Sequence, residues 1–80
     1  MRIDKYLKNA RIIKRRTIAK EACESGRVRV NGKDAKPGTE VAVEDEIEIM
    51  FGDKTMKIVV EDLKEHVSKN DAANMYRIIS

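Results

Sequence analysis

Between Arg2 and Gly32 the chain carries two short amphipathic helical patterns that meet at a basic corner, Lys14-Arg15-Arg16-Thr17. They run on into a glycine, an alternating stretch and an Asn31-Gly32 turn. This stretch restricts the fold more than any other, because two helices with one apolar and one cationic side need a layer to cover the apolar side. From Ile3 to Arg11, steps of about 100° gather Ile3, Tyr6, Leu7 and Ala10 on one arc. Arg2, Lys5, Lys8 and Arg11, with Asp4 and Asn9, fill the opposite arc, which stays wet. Cations spaced i, i+3 repel one another by a few tenths of a kcal/mol per pair. A bound phosphate backbone relieves that cost.

Ile12 and Ile13 anchor the turn, and Lys14-Arg15-Arg16 then opens the second helix, from about Thr17 to Ser25. Three adjacent cations oppose the positive end of a helix dipole, where stability alone favours Asp or Glu. An anion bound at the free N–H groups resolves the conflict. Thr17 is a candidate N-cap, although Lys20 stands where a capping box wants Glu. Ile18, Ala19, Ala22 and Cys23 share the inner face, and small residues there let two helices approach closely. Gly26 suits the left-handed residue that ends a helix.

Arg27 to Asn31 alternates, with Val28 and Val30 inward and Arg27, Arg29 and Asn31 outward. Asn31-Gly32 is a tight-turn signal, Lys33-Asp34-Ala35 a short return, and Lys36-Pro37-Gly38 a stop. Val41 and Val43 alternate before an acidic turn at Glu44-Asp45. Ile47, Ile49 and Phe51 form a strand face, and Gly52-Asp53-Lys54 turns into a partner strand with Met56, Ile58 and Val60. Residues 61–71 read as an exposed turn or frayed helix, and 72–80 as a docking helix or a last strand. Periodicity does not choose between the two. The expected fold is α+β: two helices on a small, mostly antiparallel sheet, with a short C-terminal tail.

Charge separates along the chain: the first 36 residues carry twelve Lys/Arg against four Asp/Glu, a net +8, and the remainder carries −5. One cationic face and one that repels nucleic acid are expected. A chain of 80 residues buries only about 60–65% of its unfolded surface, leaving no room for a deep catalytic cleft. No nucleophile has a base and an orienting group beside it, so no enzyme is expected. Cys23 reads as a small core hydrophobe, His66 as solvated, and Glu44-Asp45-Glu46 as a solvated acidic run. One Cys and one His do not make a zinc site, and no metal or cofactor is expected. The lone cysteine and the absence of a long apolar run point to a cytoplasmic protein with no membrane partner.

That leaves a polyanion. A helix–turn–helix DNA reader presents its second helix to bases, but here that helix exposes Lys20, Glu21, Glu24 and Ser25. Two of those are acids. Cations concentrated on the first helix, the corner and the strand after Gly26 suit structured RNA held by shape and phosphate. An interaction adaptor using the acidic half is the rival of another class.

Arg2-Ile3-Asp4-Lys5-Tyr6-Leu7, Lys14-Arg15-Arg16-Thr17 with Ala19, Gly26-Arg27-Val28-Arg29-Val30-Asn31-Gly32 and Lys36-Pro37 resemble the RNA-binding domain of ribosomal protein S-four. That domain is built on a two-helix αL-type motif. The resemblance covers residues 1–51 and leaves 52–80 as a β-hairpin extension and C-terminal tail. Glu44 departs from it, since the family has Gly before Asp45. The whole chain, including Phe51-Gly52 and Ala72-Ala73-Asn74-Met75-Tyr76, is similar to the ribosome quality control protein P family. Those bacterial proteins are related to the ribosome-associated fifteen-kilodalton heat-shock protein. The resemblance implies binding to obstructed large ribosomal subunits, touching 23S rRNA and tRNA and assisting RqcH in adding alanine tails; the chain itself is expected to be a monomer. The resemblance also implies RNA contacts at Arg2, Lys5, Lys8, Lys14, Arg15, Arg16 and Arg29, with Asp4, Thr17 and Asn31 in support.

Overall fold

The apolar repeat at the start of the chain becomes α1, Ile3–Asn9, in the computed structural model, which describes residues 1–65 and 67–80. The expectation for His66 lies outside the described residues. Ile3, Tyr6, Leu7 and Ala10 are all buried, as their shared arc requires. The helix is shorter than its pattern because Ala10 caps it and Arg11 turns left-handed at φ 58°. Ile12 and Ile13 then fold back, both donating their N–H groups to Leu7 O, at 3.1 and 3.2 Å.

The second helix, α2, is Arg16–Glu24, with Arg15 at the N-cap and no side-chain cap. Thr17 therefore lies inside the helix and does not cap it. Ala19 and Cys23 are buried, whereas Ile18 is 48% exposed, so the inner face is narrower than its apolar residues suggest. Gly26, at φ 76°, ends the helix: its N–H donates to Cys23 O and that of Arg27 to Ala22 O. This is the paired bonding of a left-handed stop.

Val28–Val30 forms β1 and Lys33–Asp34 forms β2, joined at Asn31 and Gly32, whose positive φ values of 52° and 82° match a tight hairpin turn. Glu46–Phe51 is β3, Lys54–Val60 is β4 and Tyr76–Ile78 is β5. A single turn of helix, α3 (Lys69–Ala72), capped by Ser68, precedes β5. The five strands lie in the order β2-β1-β3-β4-β5, with every neighbour antiparallel. The end of the chain is thus a last strand, since Ile58 faces Ile78 and Val60 faces Tyr76.

Val41 is buried but Val43 is 48% exposed, and the two do not form a strand. Glu44 adopts φ 77° within the turn, and Asp45 Oδ2 accepts the Ala42 N–H at 2.8 Å. The turn is thus made with a side chain at the position where the resemblance leads one to expect glycine. One face of the sheet carries Val28, Ile47, Ile49, Ile58 and Val60, which pack with Ile3, Tyr6, Leu7, Ala19 and Cys23 into the core. Met75 closes that core from the C-terminal segment.

Candidate nucleic-acid interface

The site grows from a carboxylate. Asp4 sits on the arc that periodicity assigns to water, yet it is 2% exposed. Its Oδ1 accepts the Lys5 N–H at 2.8 Å, and its Oδ2 accepts Arg2 Nη2 at 3.3 Å. The same oxygen lies 3.4 Å from Arg16 Nε. One buried anion thereby fixes two guanidinium groups, one ahead of α1 and one at the start of α2, while both stay about half exposed. A carboxylate hydrogen-bonded in this way needs its partners, because a buried charge without them is costly. Arg2, Asp4, Arg16, Thr17 and Lys20 enclose a shallow recess of about 270 Å³.

The two helix starts differ in a way that matters for anions. At α1, the Ile3 N–H donates to Thr39 O at 2.8 Å and that of Asp4 to Pro37 O at 3.4 Å. At α2, among the described residues, no side chain caps the first turn, which holds no acid, and Arg15 and Arg16 stand exposed beside it. The first helix start is closed and the second is open to an anion.

Farther along α1, Lys8, Arg11 and Lys14 line an open recess of about 770 Å³, with Asn9, Glu65 and Ser68 on its other walls. Asn9 Nδ2 ties this rim down by donating to Lys64 O and Glu65 O, at 3.2 and 3.1 Å. Lys5 leans the same way, its Nζ 3.1 Å from Glu65 Oε1. Arg11, grouped by the sequence with the wet arc only, is thus brought between two of the expected contact residues.

Arg29 is not brought to this cluster. Strand alternation sends Val28 and Val30 toward the helices, so Arg29 lies on the opposite face of the sheet. There its Nε meets Asp34 Oδ1 at 3.2 Å, and it sits across from Glu48, which in turn faces Lys57. Asn31 serves the frame: its Oδ1 accepts the Glu46 N–H at 2.9 Å and its Nδ2 donates to Asp45 Oδ1 at 3.2 Å. Those bonds lock the hairpin turn to the turn holding Glu44.

Two titratable groups report how dry the core is. Burial, reinforced by the charges of Tyr76, Asp62 and Glu61, raises the Tyr6 hydroxyl, which donates to Met75 O at 2.6 Å. Burial, then Asp4 and Glu24, pushes the Cys23 thiol up from 9.0 to about 11. Such a thiol is the wrong kind for a nucleophile.

The S4 domain family model matches residues 1–47. The chain is 54% identical over 80 residues to the RQC P-site tRNA stabilizing factor of Streptococcus pneumoniae, covering 100% of this chain and 91% of that protein. Identity to the Listeria monocytogenes factor of the same name is also 54%, over 79 residues, or 99% of this chain and 86% of that one. Among solved structures, the trimeric heat shock protein 15 of Vibrio cholerae superposes with a TM-score of 0.91 at 31% identity. That match covers 100% of this chain and 82% of the other.

Proposed function

The chain belongs to the S4 domain family, and within it to the RQC P-site tRNA stabilizing factors; from that premise we propose that it binds obstructed large ribosomal subunits. In this reading it contacts 23S rRNA and the peptidyl-tRNA, and assists RqcH in adding C-terminal alanine tails to stalled nascent chains. The observation that carries it is the buried Asp4 holding Arg2 and Arg16 beside the uncapped start of α2. Cations fixed in place bind phosphate without first losing side-chain freedom. They set the orientation of the protein on folded RNA more than they read its sequence.

Residues 1–51 act as the RNA-binding unit, with 52–80 as its hairpin extension and tail. Arg2, Lys5, Lys8, Lys14, Arg15 and Arg16 are the phosphate contacts. Arg29, turned to the other side of the sheet, makes a separate contact. The protein works as a monomer in the cytoplasm, without catalysis. Alanine tails on a stalled reporter, measured in cells lacking the protein, are expected to fall sharply; normal tail levels overturn the reading.

The likeness to heat shock protein 15 favours a second role, the recycling of free large subunits that carry nascent chains, without tail synthesis. Tails at their usual level, with free subunits accumulating trapped chains, would establish it.

A further inference from the structure

We propose that Arg11, together with Lys8 and Lys14, forms a second phosphate-binding recess, and that Arg11 is its central contact. The inference rests on the RNA-binding reading and deepens it. Its ligand is a phosphodiester strand of folded RNA that continues past the Arg2–Arg16 pair along the C-terminal end of α1.

The first argument is charge. Among the described residues, Arg2 and Arg16 share Asp4, Lys5 meets Glu65, Lys20 lies 4.0 Å from Glu24, and Arg29 meets Asp34. Lys8, Arg11 and Lys14 line one open recess of about 770 Å³, and among the described residues no ion pair reaches any of them. The one carboxylate on its rim, Glu65, is engaged by Lys5 at 3.1 Å. Like charges gathered in a concavity raise the local concentration of a polyanion.

The second argument is the backbone. Arg11 is the residue that ends α1, at φ 58°, and its N–H donates to Lys8 O while that of Ile12 donates to Leu7 O. The bonding repeats the stop at the end of α2, where Gly26 takes the left-handed position. Glycine makes that turn without strain, and an arginine there is held against its preference. The backbone on both sides is pinned, since Ile13 is 7% exposed and its N–H also reaches Leu7 O. The strain is retained at the place where a cation is aimed into the recess, which is where functional strain is expected.

The experiment uses the full chain and purified large-subunit ribosomal RNA, with affinity measured between about 50 and 200 mM salt. Arg11→Gly should raise the melting temperature by roughly 4 °C, because the turn loses its strain. The same variant should bind RNA about threefold or more weakly at the low-salt end, with a salt slope shallower by about 0.7–0.9. Arg11→Lys should restore most of the slope without the thermal gain. Stabilisation with lost binding excludes unfolding as the cause. Wild-type affinity and slope in Arg11→Gly would overturn the second recess and leave the Arg2–Arg16 site standing. Failure of the wild-type chain to bind this RNA even at low salt would overturn the RNA reading, and the recess with it.

Discussion

Asp4 shows what a helical wheel reads and what it misses. Its angle on α1 puts it with Lys8 on the polar flank, but the wheel does not include α2. Arg16 arrives from that second helix, and the carboxylate becomes the buried centre of a cation pair. Asp4→Asn keeps the shape but removes the charge and turns an amide donor toward guanidinium donors. We expect a loss of about 1–3 kcal/mol in stability by urea denaturation, together with weaker RNA binding. A variant as stable as the wild type would mean that the pair does not depend on Asp4. Glu44 was legible as the residue standing where the family has glycine, and its φ of 77° gives the reason. Glu44→Gly should add roughly 1 kcal/mol in the same measurement, since left-handed backbone costs an L-residue about that much. No such signal marked Arg11, because nothing in a run of wet cations says which one will turn left-handed.

At the scale of elements, the helix pair, the glycine stop after α2 and the hairpin at Asn31-Gly32 could be read from pattern alone. Each rests on local chemistry: a repeat, a residue that accepts positive φ, a short alternation. The last strand could not. Residues 72–80 carry apolar side chains that fit helix or strand, and only pairing with β4 decides. That segment is fastened by Tyr6, whose hydroxyl reaches Met75 O from α1. Met75 O also accepts the Glu61 and Asp62 N–H groups, at 2.8 and 3.2 Å, so Tyr6→Phe removes the tie to α1 but leaves the carbonyl bonded. It should cost about 0.5–1.5 kcal/mol and speed amide exchange in β5 before the rest of the sheet. Uniform protection across all strands would contradict the fastening.

The same burial makes the packed helices sensitive to alkali. Folding raises the Cys23 thiol above its unfolded value of 9.0, so the neutral form favours the native state. Its contribution is complete below pH 9.0 and disappears as pH rises through about 11. Tyr6, also raised, acts in the same direction. Thermal melts across that window should therefore show stability falling, and falling less steeply in Cys23→Ala. Parallel curves for the two proteins would contradict this.

For the whole molecule, the sequence located the positive charge in the first 36 residues but not the side of the sheet on which each cation would lie. A strand alternates strictly, so packing Val28 and Val30 against the helices commits Arg29 to the far face. There Asp34, Arg29, Glu48 and Lys57 alternate in sign across four strands. Charges on that face are paired, so the separate Arg29 contact requires a phosphate to replace Asp34, while the helix side leaves Lys8, Arg11, Lys14 and Arg15 open to a polyanion. The most direct test is the affinity of the protein for large ribosomal subunits as a function of salt, wild type against Arg16→Ala. Weaker binding, with a slope shallower by about 0.7–0.9, is the predicted result. An affinity and slope equal to the wild type would contradict it.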